Sequence, residues 1–235
     1  MYVGTRNQKT REDWLENALI QIPAGSRILD AGAGEQAYRR YCSHLNYVSQ
    51  DFALYDGNGD GTGLQMSEWS HHELDIVSDI TAIPEPSSSF DAIMCIEVLE
   101  HLPDPLAAFR EFYRLLKPGG FLLLTAPFCS LTHFAPYYFH TGFSRYFFEK
   151  QLDLNGFSIL DLQSNGNFFE YVAQETRRLG YIAERFSGYR LRLWERICVR
   201  AMLKILKKLS SRDQGSTELL NFGTHVLAVK CGISL

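Results

Sequence analysis

No pair of cysteines in this chain is spaced C-x-x-C, and the five present, Cys42, Cys95, Cys129, Cys198 and Cys231, are an odd number. That argues against a zinc knuckle or a disulfide framework and fits a reducing, cytoplasmic setting. Nowhere do about 18 apolar residues run together, so no membrane-spanning helix is expected. The opening residues MYVGTRNQKTREDW lack the apolar stretch of a secretory signal. Disorder is excluded by a composition that is 46% hydrophobic and only 21% charged. The 235 residues suffice for one domain, expected to cover 1–235.

What is present is a period of strands and helices. A capping-box pattern at Thr10–Asp13 predicts a helix over 11–21, stopped by Pro23 and Gly25. Short apolar runs predict strands at 27–30, 47–50, 74–78, 90–96, 121–125, 157–162 and 225–230. The run at 90–96 is almost continuously apolar, as in a strand covered on both faces. Helices are expected over 35–45, from Asp104-Pro105 to about residue 116, and over 144–154. Such alternation implies an α/β fold, a doubly wound, seven-stranded, mostly parallel Rossmann-like sheet. Residues 168–212 are too long for a connection and read as a helical cap inserted before the last strand.

Charge is unevenly distributed. Between residues 176 and 212 stand eleven Lys and Arg against two Glu, although the whole chain carries −4. Over 190–209, Leu191, Trp194, Cys198, Ala201, Ile205 and Leu209 recur every three or four residues, and Arg192, Arg196, Arg200, Lys204 and Lys208 every four. The expectation is that the apolar row covers the substrate pocket and the basic row is solvated. Peripheral contact with a membrane, contact with an acidic partner, and oligomerisation are the alternatives. Nucleic acid is not expected, because the rest of the chain is acidic and no base-stacking module is visible.

Two glycine-rich stretches compete for attention. Asp56–Gly63, DGNGDGTG, starts like a calcium loop, but the twelfth position is Ser67 where a bidentate Glu is needed. It reads better as a flap beside a ligand. The second stretch, Asp30–Ala37, lies between a strand and a predicted helix. Gly32 permits a tight turn, Gly34 lets a ligand approach bare backbone, and the helix start would offer free N–H groups. Asp51, 19 residues past Gly32, stands where an acid commonly holds ribose hydroxyls. These features say nucleoside-containing cofactor without saying which.

Asp30 before the turn, Asp79 closing the third strand, IEVLEHLPD after the fourth and LKPGGF before the fifth add to this. Together they resemble class I S-adenosylmethionine-dependent methyltransferases, closest to the type 11 group that includes ubiquinone-biosynthesis O-methyltransferases. The resemblance covers about residues 27–162 and the last strand, with Gln36 where that family often has a third glycine. It implies that S-adenosyl-L-methionine meets Asp30, Gly32, Ala33 and Gly34 at its methionine end. It implies Asp51 on the ribose, Phe52 beside the adenine, Asp79 and the Ile80 N–H on the adenine edge, and Ile96 and Glu97 on the far side.

Methyl transfer to a hydroxyl needs a base near neutrality, which histidine supplies. His133 and His140, in the aromatic-rich stretch after the fifth strand, are the expected catalytic residues, and His101 is expected to be structural or to support the residues that meet the ligand. No metal site is assigned. Glu97, Glu100, His101 and a later histidine nevertheless resemble the magnesium site of small-RNA 2′-O-methyltransferases, and that alternative stays open. The place of an Asn-Pro-Pro-Tyr motif, used on planar nitrogens, is taken by Ile96–Leu99. O-methylation of a small-molecule, sugar or lipid-linked hydroxyl is therefore the expected activity. C-methylation of a secondary metabolite is the runner-up. A non-catalytic or dinucleotide-binding Rossmann protein is a third reading, with no Tyr-x-x-x-Lys to support an oxidoreductase.

Overall fold

In the computed structural model, which describes residues 2–70 and 73–232, seven strands form one sheet in the order β3-β2-β1-β4-β5-β7-β6. They are β1 (Arg27–Ala31), β2 (Asn46–Asp51), β3 (Ile76–Val77), β4 (Phe90–Ile96), β5 (Leu116–Pro127), β6 (Phe157–Asn165) and β7 (Gly223–Lys230). The β3-β2, β2-β1, β1-β4 and β4-β5 pairs are parallel. The carboxyl ends of β1 to β5 therefore lie on one edge, where parallel sheets bind ligands.

Alternation along the central strands builds two cores. Ile93 and Cys95 of β4 and Leu122 and Leu124 of β5 face a core filled by α2 (Pro105–Leu115) and α3 (Arg145–Leu154). Ala92, Met94 and Leu123 face the opposite core, where α1 (Asn7–Leu19) packs Trp14, Leu15, Ala18 and Leu19. Side chains pointing alternately to both faces make the sheet doubly wound. In α2, Pro105, Ala108, Phe109, Phe112 and Leu115 are buried at helical spacing. Phe109 and Phe112 have no exposed surface, a burial worth roughly 2–3 kcal/mol each. Asp104 caps this helix by accepting from the amides of Leu106 and Ala107 at 3.0 and 3.1 Å.

Two expectations fail locally. The LKPGGF segment, read as a stop before the fifth strand, is taken into β5: Phe90 pairs with Leu116 and Ala92 with Phe121, and the intervening residues bulge. More consequentially, 35–45 holds no α-helix. Gly34 and Gln36 adopt φ of 49° and 55°, which interrupts right-handed helix geometry. A single tight turn over Arg39–Tyr41 follows. Gln36 is held in its left-handed conformation by donating from Nε2 to the Glu73 carbonyl, while its Oε1 accepts from Arg39.

The chain divides into two compact units, Asp13–Gln163 with Thr224–Leu235, and Met1–Glu12 with Ser164–Gly223. The first carries most of the sheet. The second contains α4 (Phe168–Ser187) and α5 (Leu193–Ser210), with a core of Val3, Ala173, Leu203 and Leu206. Gly188 in the left-handed conformation ends α4. The apolar row read from the sequence is not the packed face of α5. Leu203 and Leu206 are buried, whereas Trp194, Ile205 and Leu209 are exposed.

Candidate functional site

The turn after β1 is fastened by β2. The amides of Gly32 and Ala33 donate to the Gln50 carbonyl at 2.9 and 2.8 Å. The Asp51 carboxylate takes the Gly34 amide at 3.0 Å on one oxygen and the Ala53 amide at 2.8 Å on the other. Gly32 has a φ of 80°, and a Cβ there would stand 2.6 Å from Val98. Only glycine fits. With no helix after the turn and these three amides already bonded to β2, the strand-end carboxylates rather than a helix dipole are what this edge offers a ligand.

Asp30 is 2% exposed, and burial pushes its carboxyl up to about 7. A 2.6 Å hydrogen bond from the Tyr47 hydroxyl works against that rise, while the Asp51 charge adds to it. Asp79 lies beyond β3 and is exposed, and its carboxylate accepts from the Thr81 amide and hydroxyl, both at 2.8 Å. Ile80 beside it is buried. Phe52 is partly exposed and stands edge-on to Tyr137, ring centres 4.9 Å apart.

At the end of β4, Ile96 is buried and Glu97 has a φ of 57°, a strained value for a non-glycine residue. Glu97 accepts from the Thr125 hydroxyl at 2.9 Å. One tight turn, Leu99–His101, then sends Glu100 inward, where it is 1% exposed. Its backbone carbonyl takes the amides of Phe139 and His140 at 3.0 and 3.1 Å, fixing the loop after β5 over the same place.

Glu100, His101 and His133 meet there, with one potential ligand atom of each within 4.8 Å of the others. Nε2 of His101 and of His133 lie 3.8 and 4.0 Å from Oε1 of Glu100. The other ring nitrogens identify the tautomers. Nδ1 of His101 lies 2.6 Å from the Tyr137 carbonyl, and Nδ1 of His133 lies 2.8 Å from the Leu131 carbonyl. A carbonyl only accepts, so each Nδ1 donates, and in the neutral rings each Nε2 presents a lone pair. Burial, reinforced by His133, lowers His101 to about 4, which keeps its ring neutral at physiological pH. Two imidazole lone pairs and a carboxylate converging is a set that fits a divalent cation or a proton-bearing acceptor.

His140 does not join this group. Its ring packs on Phe143 at 5.3 Å, and its buried Nε2 makes no hydrogen bond with the described residues. Of the entertained metal set, Glu100, His101 and His133 as the later histidine come together, while Glu97 accepts from Thr125 and is not in the cluster. His101, expected to be structural or supporting, is a full member.

The DGNGDGTG stretch also differs from its first appearance. Asp56 and Asp60 turn their carboxylates onto the amides of their own loop, at Asn58 and Gly59 and at Thr62. The stretch is stitched to the loop after β5: Leu64 bridges His133 in parallel, and the Asp60 amide donates to the Ala135 carbonyl at 3.0 Å. Trp69 reaches back so that a Cβ on Gly34 would stand 2.9 Å from its ring. Its indole packs against Tyr55 and Phe134 at 5.2 and 5.5 Å. Trp69 and Tyr55 were invisible as site residues, since they lie in a segment without periodicity. A cavity lined by Arg27, Arg39, Asn46 and Tyr47 opens at the amino ends of β1 and β2, the end of a parallel sheet that does not bind ligands.

Residues 3–186 match the model of the family described as methyltransferase domain. A ubiquinone biosynthesis O-methyltransferase of Xanthomonas oryzae pv. oryzae is 37% identical over 106 residues, 43% of this chain and 43% of its own. The chain therefore matches less than half the length of such curated relatives. Among solved structures, phosphoethanolamine N-methyltransferase 2 of Haemonchus contortus, in complex with S-adenosyl-L-methionine, has a TM-score of 0.55 at 18% identity, covering 95% of this chain and 53% of that one. An S-adenosylmethionine-dependent methyltransferase of Mesorhizobium loti has 0.53 at 15%, covering 93% and 98%. At such identities the structures speak for the fold alone. The match over 3–186 carries the assignment: the chain belongs to the methyltransferase domain family.

Proposed function

We propose that this chain transfers a methyl group from S-adenosyl-L-methionine to a hydroxyl oxygen of a small organic acceptor. The observation that carries the reading is the convergence of Glu100, His101 and His133 beside the carboxyl ends of β1 and β4. The names of the curated relatives support oxygen as the receiving atom.

The residues present fit this cofactor. A buried carboxyl at Asp30 suits its cationic methionine end, and Asp51 retains lone pairs on both oxygens beyond its bonds to Gly34 and Ala53. Those lone pairs would accept from the ribose hydroxyls, with Asp79 and the Ile80 amide on the adenine edge and Phe52 beside the ring. Gly32, Ala33 and Gly34 would meet the methionine end, and Ile96 and Glu97 would close the far side. When bound, the cofactor supplies an electrophilic methyl that needs no further activation.

The work left to the protein is to orient the acceptor, take its proton and exclude water. His133 Nε2 would receive the proton, and Glu100, held at almost no exposure, stabilises the imidazolium that results. Neutral His101 accepts a hydrogen bond rather than competing as a cation. With a divalent cation the same three residues would act as its ligands, His133 then giving its lone pair to the metal rather than serving as the base, and the cation would supply Lewis-acid help in ionising the hydroxyl. Phe134, packed on both histidines at 5.2 and 5.1 Å, and the flap carrying Trp69 keep the site dry.

Calorimetry with S-adenosyl-L-methionine, followed by turnover on a panel of phenols, catechols and sugar alcohols with and without EDTA, tests the reading. Saturable cofactor binding and methyl-ether product are expected. Absence of cofactor binding in the high micromolar range, or methylation confined to nitrogen, overturns it.

A further inference from the structure

Helix α5 has two apolar faces, and the fold uses one. At 3.6 residues per turn, Val199, Leu203 and Leu206 share a side, and they pack with Val3 and Ala173 into the core of their unit. On the other side Trp194, Ile205 and Leu209 are exposed by 60, 53 and 41%. A helix that shows solvent a row of large apolar side chains signals an interaction surface.

Charge says what covers it. Arg196, Arg200, Lys204, Lys207 and Lys208 stand on the same helix, Lys204 and Lys208 bordering that row by helical spacing, and no acidic residue occurs from Arg196 to Ser210. Nearby Arg178 and Arg190 are paired with Glu175 and Glu184, but the five cations of α5 make no ion pair among the described residues. Near the start of α5, exposed Phe186 and Leu193 extend the apolar surface. A second copy of this chain, laying the same row against itself, meets like charges. A convex helix with protruding Trp, Ile and Leu offers no groove for a peptide, whereas a bilayer needs none. It receives the apolar row below its headgroups and the flanking cations among its phosphates. The family match ends at residue 186, so α5 lies outside the matched residues.

We propose that α5 docks this protein on the surface of an anionic lipid bilayer, with the Trp194–Leu209 row inserted at the headgroup level and the basic flank on lipid phosphates. The proposal does not depend on which acceptor the enzyme methylates.

The test is sedimentation of the full chain with vesicles of phosphatidylcholine alone and with about a third phosphatidylglycerol. Binding to the anionic vesicles at least about tenfold stronger is expected, weakening as salt is raised. Trp194→Glu, and separately the double change Arg200→Glu with Lys204→Glu, are each expected to lower that binding about tenfold. The sites are exposed, so melting temperature and S-adenosyl-L-methionine binding stay at wild-type values, which separates lost docking from misfolding. Trp194→Phe, which keeps an aromatic anchor, retains binding. Equal binding to both vesicle types, indifference to both charge-introducing changes, or a concentration-dependent dimer that Trp194→Glu dissolves while vesicles capture nothing would each overturn the proposal. So would a basic-flank-dependent complex with an acidic protein formed in place of vesicle binding.

Discussion

Nε2 of His133 lies 4.0 Å from Oε1 of Glu100, although 33 residues separate them in sequence and they belong to different loops. The approach is enforced from the backbone, because the Glu100 carbonyl holds two amides of the histidine-bearing loop. Replacing Glu100 by Gln keeps the shape and removes the charge. Turnover is expected to fall about 100-fold, as for loss of assistance to a general base, with S-adenosyl-L-methionine affinity within about threefold of wild type. His133→Ala should lose at least as much. Steady-state kinetics beside calorimetry checks this, and wild-type turnover in both variants would remove the cluster from catalysis.

His101 links the site to stability. Its pKa is lowered from 6.5 to about 4, so between those values the unfolded chain binds the proton and the folded one does not. Its contribution is therefore fully present above pH 6.5 and is lost as pH falls toward 4, a change of about 3 kcal/mol if the other groups are silent. Urea unfolding at stepped pH should show this slope, and His101→Asn should flatten it. An unchanged slope in that variant contradicts the assignment.

Asp30 makes an opposite statement. Its carboxyl is raised from 3.8 to about 7, so the folded chain holds a proton that the unfolded chain gives up, and stability from this group is lost as pH rises through about 7. A cationic methionine end beside Asp30 would favour the charged form. Cofactor binding near pH 7 is then expected to release a proton. The calorimetric enthalpy should change between phosphate and Tris buffers in wild type but not in Asp30→Asn.

Asp51 ties Gly34 and Ala53 together with one carboxylate. Asp51→Ala removes a charged acceptor and loosens the turn, at about 1.5–3 kcal/mol, or about 10- to 150-fold in S-adenosyl-L-methionine affinity. Titration calorimetry measures it, and a change under about threefold argues that the cofactor does not use this acid.

Gly59 reports on the flap. It has a φ of 52°, and an added Cβ would fall 1.9 Å from the Ala135 carbonyl oxygen, a backbone atom that cannot rotate away. Gly59→Ala should separate the flap from the loop after β5. Limited proteolysis between residues 56 and 70 is expected to accelerate about tenfold while the melting temperature moves by only a few degrees.

Local patterning in this sequence determines the strand–helix alternation, the identity of β4 down to its end residues, and the Asp104 cap. Each is written in consecutive or regularly spaced residues, because burial on two faces and amide capping are short-range demands. The glycine turn and Asp51 are legible for the same reason, since they punctuate strand ends, whereas β3 stops at Val77 and leaves Asp79 beyond it. Tertiary structure decided the rest. The helix expected over 35–45 gave way when Gln36, held by Glu73 and Arg39, took a left-handed turn that propensity alone would not predict. The face of α5 that is buried was settled by Val3 and Ala173, contacts from distant parts of the chain. The joining of Glu100 to His133, and of Trp69 to Gly34, depends on where a parallel sheet brings its loops, a relationship that no spacing along the chain encodes.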